Sequence, residues 1–368
     1  MCTTNFAAAR NQRNRPVSSA SLAAAAALLR RIAPLLIFAC ALPVVAQEGS
    51  LQTALLGRCA LDSGQFIEPC VLAYRTWGRL NADGSNAILM PTWYNGRSED
   101  LEQFFGPDKL VDTTRFFAIA VDALGDGASS SPSTSAAQHG RAFPAITIRD
   151  KVRAEHRLAT EVLHLHHLHA VLGVSMGGMQ TFEWMADYPE FVSRAVPIVG
   201  TPQQTSYDLL NWDLLRRLVE ADPGFDGGNY AAEPALTLAN EFGALTLPSP
   251  AYTARKVSRA EFPAFLENSL KTWGGRDAND RLVQLKAMIA HDVIRGSGSV
   301  DDAAAKIQVK QLIVAAVNDH LVNPAPALAW ARAAHAETYV STGDCGHRIF
   351  ECDGPAITRA VRAFLAAP

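Results

Sequence analysis

The chain has 368 residues, of which 48% are hydrophobic and 19% are charged, so it can bury a large core. The formal net charge is −3, but the first 47 residues contain five arginines and no acid, which leaves about −8 for the remainder. That acidic balance argues against nucleic acid or an anionic membrane surface as the main partner. One large α/β domain with an insertion fits this length.

Residues 1–46 are predicted to be an export signal peptide. An arginine-bearing start leads into a hydrophobic run at residues 32–40, and small residues before Gln47 suit cleavage there. Prolines within and after this run disfavour a permanent transmembrane helix. We therefore expect an exported, periplasmic or secreted protein that meets the membrane only through this signal. Bulky Phe38 disfavours a lipid on Cys40, and an organelle transit peptide is the other alternative.

Four cysteines remain after that cleavage, and an even number in an exported protein permits two disulfides. Three pairings are open. The local ones are favoured, namely Cys59 with Cys70 around an Asp-Ser-Gly turn and Cys345 with Cys352. The alternative is four reduced, buried cysteines.

The organisation of the remaining chain is a regular alternation of strands and helices with one interruption. Strand-like segments lie at residues 66–77, 87–90, 116–121, 170–174, 194–199, 309–317 and 338–341. Helices are expected at 99–105, 150–163 with Asp150 as cap, 324–335 and 355–366. This pattern predicts a mostly parallel sheet flanked by helices, built from residues 51–200 and 306–368. Residues 201–305 show no convincing strand and are predicted to form a helical lid.

The segment Gly173-Val174-Ser175-Met176-Gly177-Gly178 joins an apolar strand to a helix-forming run. A G-x-S-x-G pattern in that context predicts a sharp turn that presents the serine hydroxyl as a nucleophile. The alternative is a chance match in a glycine-containing turn, so partner residues must decide.

A serine hydroxyl needs a base to take its proton and an acid to orient that base. Asp319 directly follows a buried strand, and His347 lies between the last strand and the last helix. Each alone could be a cap or a loop residue. Three such residues after three strands, in the order Ser175, Asp319, His347, favour a catalytic triad. His320 and Asp344 are weaker candidates, because one lacks a glycine loop and the other would lie beside the base.

Two backbone N–H groups are expected to form an oxyanion hole. Met176 provides one by its position after the serine, and Trp93 in the loop after an early strand provides the other, with Tyr94 close by. The Trp93 and Tyr94 side chains could instead be core or pocket wall.

Four histidines precede the serine strand and raise the question of a metal, namely His164, His166, His167 and His169. No carboxylate or cysteine nearby completes a coordination set, so polar loop residues are favoured. The sequence also has no nucleotide-binding fingerprint. We expect neither a metal nor a cofactor.

Several motifs resemble those of the homoserine O-acetyltransferase family within the α/β-hydrolase superfamily, over roughly residue 61 to the C-terminus. They are ALDSGQFIEPCVLAYRTWGRLNADGSNAIL, FPAITIRDKVRA, GVSMGGMQTFEWMADYPEFVSRAV, NDHLVNP and CGHRIF. The resemblance implies an α/β-hydrolase fold in which Ser175 accepts the acyl group, Asp319 is the acid and His347 is the base. On the same pattern Arg149 and Asp277, together with Tyr94, are candidates for the substrate pocket.

Other segments depart from that family. Pro91-Thr92-Trp93-Tyr94-Asn95-Gly96 stands where a His-Ala-Leu-Thr-Gly type segment is usual, and Gly173-Val174 where Gly-Gly is usual. Both recognition segments expected in the lid are altered as well. We therefore expect water as the acceptor, which makes the protein an esterase for a small-molecule ester or acyl substrate. The alternatives are an O-acetyltransferase using acetyl-CoA with homoserine or a similar small alcohol, and a non-catalytic hydrolase-fold binding protein. Homodimerisation is left open.

Overall fold

A computed structural model describes residues 48–272 and 276–367. The predicted signal peptide and Cys40 lie outside these residues. The strands are β1 (Gln52–Leu55), β2 (Cys59–Ala60), β3 (Phe66–Ile67), β4 (Val71–Trp77), β5 (Ala87–Pro91), β6 (Phe117–Val121), β7 (Leu168–Val174), β8 (Val192–Ile198), β9 (Lys310–Ala316) and β10 (Glu337–Ser341). The α-helices are α1 (Ile148–Arg157), α2 (Met176–Asp187), α3 (Ser206–Glu220), α4 (Thr237–Thr246), α5 (Pro250–Lys256), α6 (Phe262–Thr272), α7 (Ala278–Ile289), α8 (Val300–Ala304), α9 (Ala325–Ala333) and α10 (Ile349–Ala366).

Eight strands form one sheet in the order β1-β4-β6-β5-β7-β8-β9-β10. β1 and β4 pair antiparallel at one edge, and all pairs from β6 to β10 are parallel. β2 and β3 form a separate small ribbon. The predicted α/β fold with a mostly parallel sheet is confirmed. The carboxyl ends of β5, β7 and β9 therefore open on the same edge, where the candidate residues follow them.

The central strands are apolar without alternation because helices cover both faces of the sheet. All five residues of β5 are buried. Leu89 packs on one face in the cluster that includes Met179 of α2, and Ile88 packs on the other in the cluster that includes Val361 of α10. This packing holds the start of α2 against the sheet.

The chain between β8 and β9 folds as helices α3 to α8. α3 packs against α7, and α4 packs against α6. On the outside of these helices Leu210 is 68% exposed and Leu245 is 75% exposed. We call residues 201–305 the insertion. Among residues 48–272 and 276–367, no helix is both long enough and apolar enough to cross a bilayer.

Several predicted element boundaries differ from the structure, and three of the differences have a clear cause. The run expected as one strand at 66–77 is two strands, β3 and β4, and the residues between them include the cis Glu68–Pro69 bond. Helix α1 begins at Ile148, because Thr147 is its N-cap and Asp150 accepts a hydrogen bond from the Thr147 N–H. Helix α10 begins at Ile349 and carries Pro355 within its length, so the proline does not mark its start.

Candidate active site

Ser175 occupies the turn between β7 and α2. Its backbone has φ 59° and ψ −119°, a combination that is strained for a residue with a Cβ. Neighbouring elements hold that conformation, since the Ser175 N–H donates to the Ile198 carbonyl at 2.9 Å and its own carbonyl accepts from the Met179 N–H at 3.0 Å. The side chain therefore stands at the edge of the sheet, and the residue is 9% exposed.

Two glycines make this turn sterically feasible. A Cβ on Gly173 would lie 2.0 Å from the Gly177 carbonyl oxygen, and a Cβ on Gly177 would lie 2.7 Å from the Pro91 carbonyl oxygen. No side chain fits at either position without moving backbone. The close approach brings the start of α2 directly against the loop that follows β5.

Asp319 and His347 are joined by a short hydrogen bond. Asp319 Oδ2 lies 2.7 Å from His347 Nδ1, and Asp319 Oδ1 accepts from the N–H groups of Leu321 and Val322, each at 2.9 Å. Both side chains are largely buried. The carboxylate therefore orients the imidazole with Nδ1 as the protonated nitrogen, which leaves Nε2 available as a base.

The loop that carries His347 is held on two sides. A disulfide joins Cys345 to Cys352 across it, and the His347 N–H donates to the Leu247 carbonyl of the insertion at 2.9 Å. The His347 imidazole thus depends on the sheet, the Cys345–Cys352 disulfide and the insertion for its position.

A second disulfide joins Cys59 to Cys70, so the structure contains both local pairs.

Ser175 and His347 line one cavity of about 340 Å³. Its remaining walls are mainly aromatic and aliphatic, formed by Trp93, Tyr94, Gln103, Phe104, Val174, Trp212, Leu247, Leu321, Arg348, Phe350 and Glu351. The two charged members, Arg348 and Glu351, form an ion pair with each other. The space beside the serine is therefore suited to a small uncharged molecule.

Two backbone N–H groups lie at the ends of elements that meet beside Ser175. Met176 is the first residue of α2, so its N–H has no acceptor within that helix. Trp93 is the second residue after β5, and within the described part of the chain its N–H has no hydrogen-bond acceptor. Such donors can bind a negatively charged oxygen.

Residues 93–352 match the family model described as the alpha/beta hydrolase fold. The chain belongs to this family. It is 31% identical over 349 residues to a homoserine O-acetyltransferase from Symbiobacterium thermophilum, a match that covers 83% of this chain and 91% of the relative. It is thus a member of the homoserine O-acetyltransferase family within the α/β hydrolases.

Esterases also match this chain. A probable esterase from Corynebacterium glutamicum is 43% identical over 188 residues, which are 50% of this chain and 54% of the relative. The match therefore spans about half the length of that relative. The crystal structure of an acetylester hydrolase from the same organism superposes with a TM-score of 0.80 and 30% identity, over 87% of this chain and 97% of the other.

Two residues assigned to the substrate pocket from family resemblance do not line the cavity beside Ser175. The Arg149 Nε donates to Asp187 at 2.7 Å, and the Arg149 Nη1 lies 3.8 Å from an oxygen of Asp62. The charge of Arg149 is therefore engaged in a group of ion pairs around α1 and α2. Asp277 is the N-cap of α7 and accepts from the Asp280 N–H at 3.0 Å. These contacts place Arg149 and Asp277 away from the cavity, whereas Trp93 and Tyr94 line it.

His167 directly precedes β7 and His169 lies within it, and the two histidines face different partners. His167 Nε2 lies 2.6 Å from the Ser193 hydroxyl, and His169 Nε2 lies 2.9 Å from the Leu365 carbonyl. Their ring nitrogens thus bind β8 and the C-terminal helix at the edge of the sheet opposite Ser175.

A pair of buried carboxylates lies beneath the loop after β5. Burial raises the pKa of Asp126 well above its usual value, and the neighbouring charge of Asp122 raises it further. Burial also raises the pKa of Asp122. The Thr92 hydroxyl lies 3.4 Å from Asp126 Oδ2 and accepts from the Ala123 N–H at 3.0 Å. This network fixes one side of the residue that precedes Trp93.

Sequence reasoning missed several cavity residues. Trp212 and Leu247 come from the insertion, and Phe104 comes from a 3-10 helix at Ser98–Phe104. Apolar residues in such segments carry no signal that separates a pocket wall from core. Gln180, which does not line the cavity, was also not singled out from the sequence, although its position one helical turn after Met176 is visible there.

Proposed function

We propose that this hydrolase cleaves small, uncharged esters with Ser175 as nucleophile and water as the final acyl acceptor. The observation that carries the proposal is the charge content of the cavity. Arg348 and Glu351 pair with each other, and the Tyr252 hydroxyl also donates to Glu351. Among the described residues, no charged group lining the cavity is left free for the ammonium and carboxylate of an amino-acid acceptor such as homoserine.

In the first half of the reaction the Ser175 hydroxyl attacks the ester carbonyl. His347 Nε2 takes the hydroxyl proton, and Asp319 stabilises the imidazolium that results. The carbonyl oxygen becomes an alkoxide that accepts from the Met176 and Trp93 N–H groups. Collapse of the tetrahedral intermediate breaks the bond to the alcohol oxygen, which receives the proton from His347 and leaves.

In the second half a water molecule attacks the acyl-Ser175 ester. His347 removes the proton of the water, the tetrahedral intermediate forms at the same two N–H groups, and collapse returns the proton to the Ser175 oxygen. The products are the free acid and the original enzyme. Apolar walls beside the serine limit the reaction to small neutral substrates.

The relatives support this choice. The matched half of the probable esterase points to ester cleavage, and the superposition on the acetylester hydrolase points to an acetyl group. Acetyl transfer from acetyl-CoA to homoserine, or to another small alcohol, is the second candidate. Its support is the longer match to a homoserine O-acetyltransferase.

The test compares two assays on the purified protein, with Ser175→Ala as control. p-Nitrophenyl acetate and ethyl acetate report hydrolysis, and acetyl-CoA with homoserine reports transfer. We expect serine-dependent hydrolysis and no stimulation of CoA release by homoserine. Homoserine-stimulated, serine-dependent CoA release would replace the hydrolase proposal with the transferase.

We also propose export, supported by the two local disulfides, since such bonds form in oxidising compartments. N-terminal sequencing of the mature protein tests this, since a retained Arg30-Arg31 pair would contradict cleavage before Gln47.

Homodimer formation through the insertion is the last part of the proposal. It is supported by the exposed Leu210 and Leu245, and light scattering decides it.

A further inference from the structure

Gln180 lies on α2, one helical turn after Met176, and none of its surface is exposed. Its Nε2 donates to the Thr92 carbonyl at 3.0 Å and to the Met176 carbonyl at 3.3 Å. Both amide hydrogens therefore bind backbone oxygens that belong to the two segments supplying the proposed oxyanion N–H groups.

The other end of the amide has no partner. Gln180 Oε1 is buried and makes no hydrogen bond with any residue that the structure describes. Turning the amide over would place Oε1 against two carbonyl oxygens, so the assigned orientation is the one the neighbours permit. A buried polar atom without a partner is costly, and an apolar side chain of this size would avoid that cost. The two donated bonds are therefore the useful feature of this residue.

One of those bonds fixes the direction of the Trp93 N–H. The Thr92 carbonyl and the Trp93 N–H belong to the same peptide group, which is planar and trans, so they point in opposite directions. The Thr92 N–H is itself held by the Val121 carbonyl at 3.0 Å. With β6 holding one side and Gln180 holding the carbonyl, the Trp93 N–H cannot rotate away.

We propose that Gln180 is a positioning residue that locks the Trp93 peptide to the start of α2 and thereby maintains the oxyanion hole. The inference rests on the proposed acyl-transfer function of Ser175. Gln180 touches no reacting atom. Its effect is therefore expected on the stabilisation of the tetrahedral oxyanion and not on binding of the ground-state ester.

The experiment measures the rate at which a fluorophosphonate modifies Ser175, because that reaction uses the oxyanion hole but does not depend on which ester is the natural substrate. The variant is Gln180→Met, which keeps the volume and removes both donors. The matched control is Gln311→Met. Gln311 is another buried glutamine and lies on β9. Its Oε1 accepts a hydrogen bond from the Trp330 indole N–H at 2.7 Å.

For Gln180→Met we expect labelling at least about tenfold slower than wild type, since removal of a whole oxyanion donor costs about 100-fold or more. With p-nitrophenyl acetate, kcat should fall by a similar factor while KM changes less than about twofold. Gln311→Met should label at the wild-type rate. If Gln180→Met does not fold, Gln180→Leu serves instead, because leucine also removes both donors and places no charge in the buried site.

A folded Gln180 variant that labels at the wild-type rate would overturn the proposal, and so would a rise in KM at unchanged kcat. These results are distinct from failure of the proposed function. If wild-type protein labels at Ser175 but hydrolyses no acetyl ester, the esterase assignment fails while the labelling comparison still tests Gln180.

Discussion

The sheet core and the insertion contribute to the cavity in different ways. Core residues are held by directional hydrogen bonds, as Asp319 is by the Leu321 and Val322 N–H groups and Ser175 is by the carbonyl of Ile198. The insertion contributes apolar surface from Trp212 and Leu247. The core therefore holds the proposed catalytic groups through backbone hydrogen bonds, whereas the insertion adds apolar side chains to the cavity wall.

The two regions are nevertheless linked. The Leu247 carbonyl accepts from the His347 N–H, and Asp280 of the insertion accepts from the Ser133 N–H at 2.9 Å in a core loop. Arg255 of α5 binds Asp344 beside the histidine through two bonds of 2.7 and 2.8 Å. Changes to the proposed catalytic residues of the core should therefore affect rate, changes in the insertion should affect selectivity, and changes at the turn glycines or at the contacts between the two regions should affect stability.

The largest effect is expected from Asp319→Asn in the core. An amide at this position favours the wrong tautomer of His347, so kcat for ester hydrolysis should fall by about 10³- to 10⁴-fold while the fold is retained. Steady-state kinetics with p-nitrophenyl acetate checks this. Asp344→Asn is the matched control, because Asp344 lies three residues from His347 but binds Arg255, and it should stay within about threefold of wild type. Equal losses in both variants would contradict the assigned pairing.

Gly173→Ala should be the most damaging change to folding in the core. The new Cβ would lie 2.0 Å from the Gly177 carbonyl oxygen, so α2 must shift, at a cost of about 3–5 kcal/mol in the free energy of unfolding. Urea denaturation followed by circular dichroism measures it.

Gly354→Ala provides the contrast within helix α10. Outside its two chain neighbours, a Cβ there would be 4.0 Å from the nearest atom, the Cβ of Phe350. The gain in helix propensity is opposed by contact of the new Cβ with Pro355, so this variant should stay within about 1 kcal/mol of wild type. Similar destabilisation by both substitutions would show that the turn at Ser175 is not sterically constrained.

Asp280→Asn addresses the junction. Burial raises the pKa of Asp280 from 3.8 to about 7, although hydrogen bonds from Ser133 act in the opposite direction. The folded protein therefore keeps a proton that the unfolded chain releases, and this contribution to stability is lost as pH rises from about 4 to 7. Asparagine does not titrate, so the free energy of unfolding of the variant should not fall in this way. The difference in free energy of unfolding, variant minus wild type, should therefore become more positive by about 2–4 kcal/mol between pH 4 and pH 7, as measured by urea denaturation at each pH. A pH-independent difference would contradict the assignment.

Leu247→Ala should give the smallest effect and report on the insertion. Removing this cavity wall should raise the ratio of kcat/KM for hexanoyl over acetyl esters by about tenfold, with little loss on the acetyl ester. Leu245→Ala is the matched control, because Leu245 is 75% exposed and does not line the cavity. If both variants shift the ratio equally, the insertion does not select substrates through direct contact.

The contrast between core and insertion also explains what could be predicted from the sequence. Ser175, Asp319 and His347 follow strand ends, and parallel strands bring such positions to one edge, so their meeting was predictable. Arg149 and Asp277 do not line the cavity, and family resemblance could not predict this because it transfers a residue type but not the neighbours that engage it. Walls contributed by the insertion could not be predicted, because packing among its helices decides which apolar residues face the cavity.

Elements with competing signals were also misread. Pro355 suggested the start of α10, yet the helix begins at Ile349, and the disulfide between Cys345 and Cys352 ties the preceding loop to its first turn. The bond from Leu247 to His347 spans 100 residues of sequence and leaves no local pattern. Long-range contacts of this kind require the folded structure.

The most direct test of the central claim is the covalent state of Ser175 during turnover. The reaction with p-nitrophenyl acetate is quenched during turnover and the protein is digested. The mass of the peptide that contains Ser175 is then measured by mass spectrometry. We predict an acetyl group on Ser175 that disappears at the same rate with and without homoserine, and no acetylation of the Ser175→Ala variant. The account would be contradicted if Ser175→Ala still hydrolysed the ester. It would also be contradicted if wild-type protein hydrolysed the ester and no acetyl group were found on Ser175.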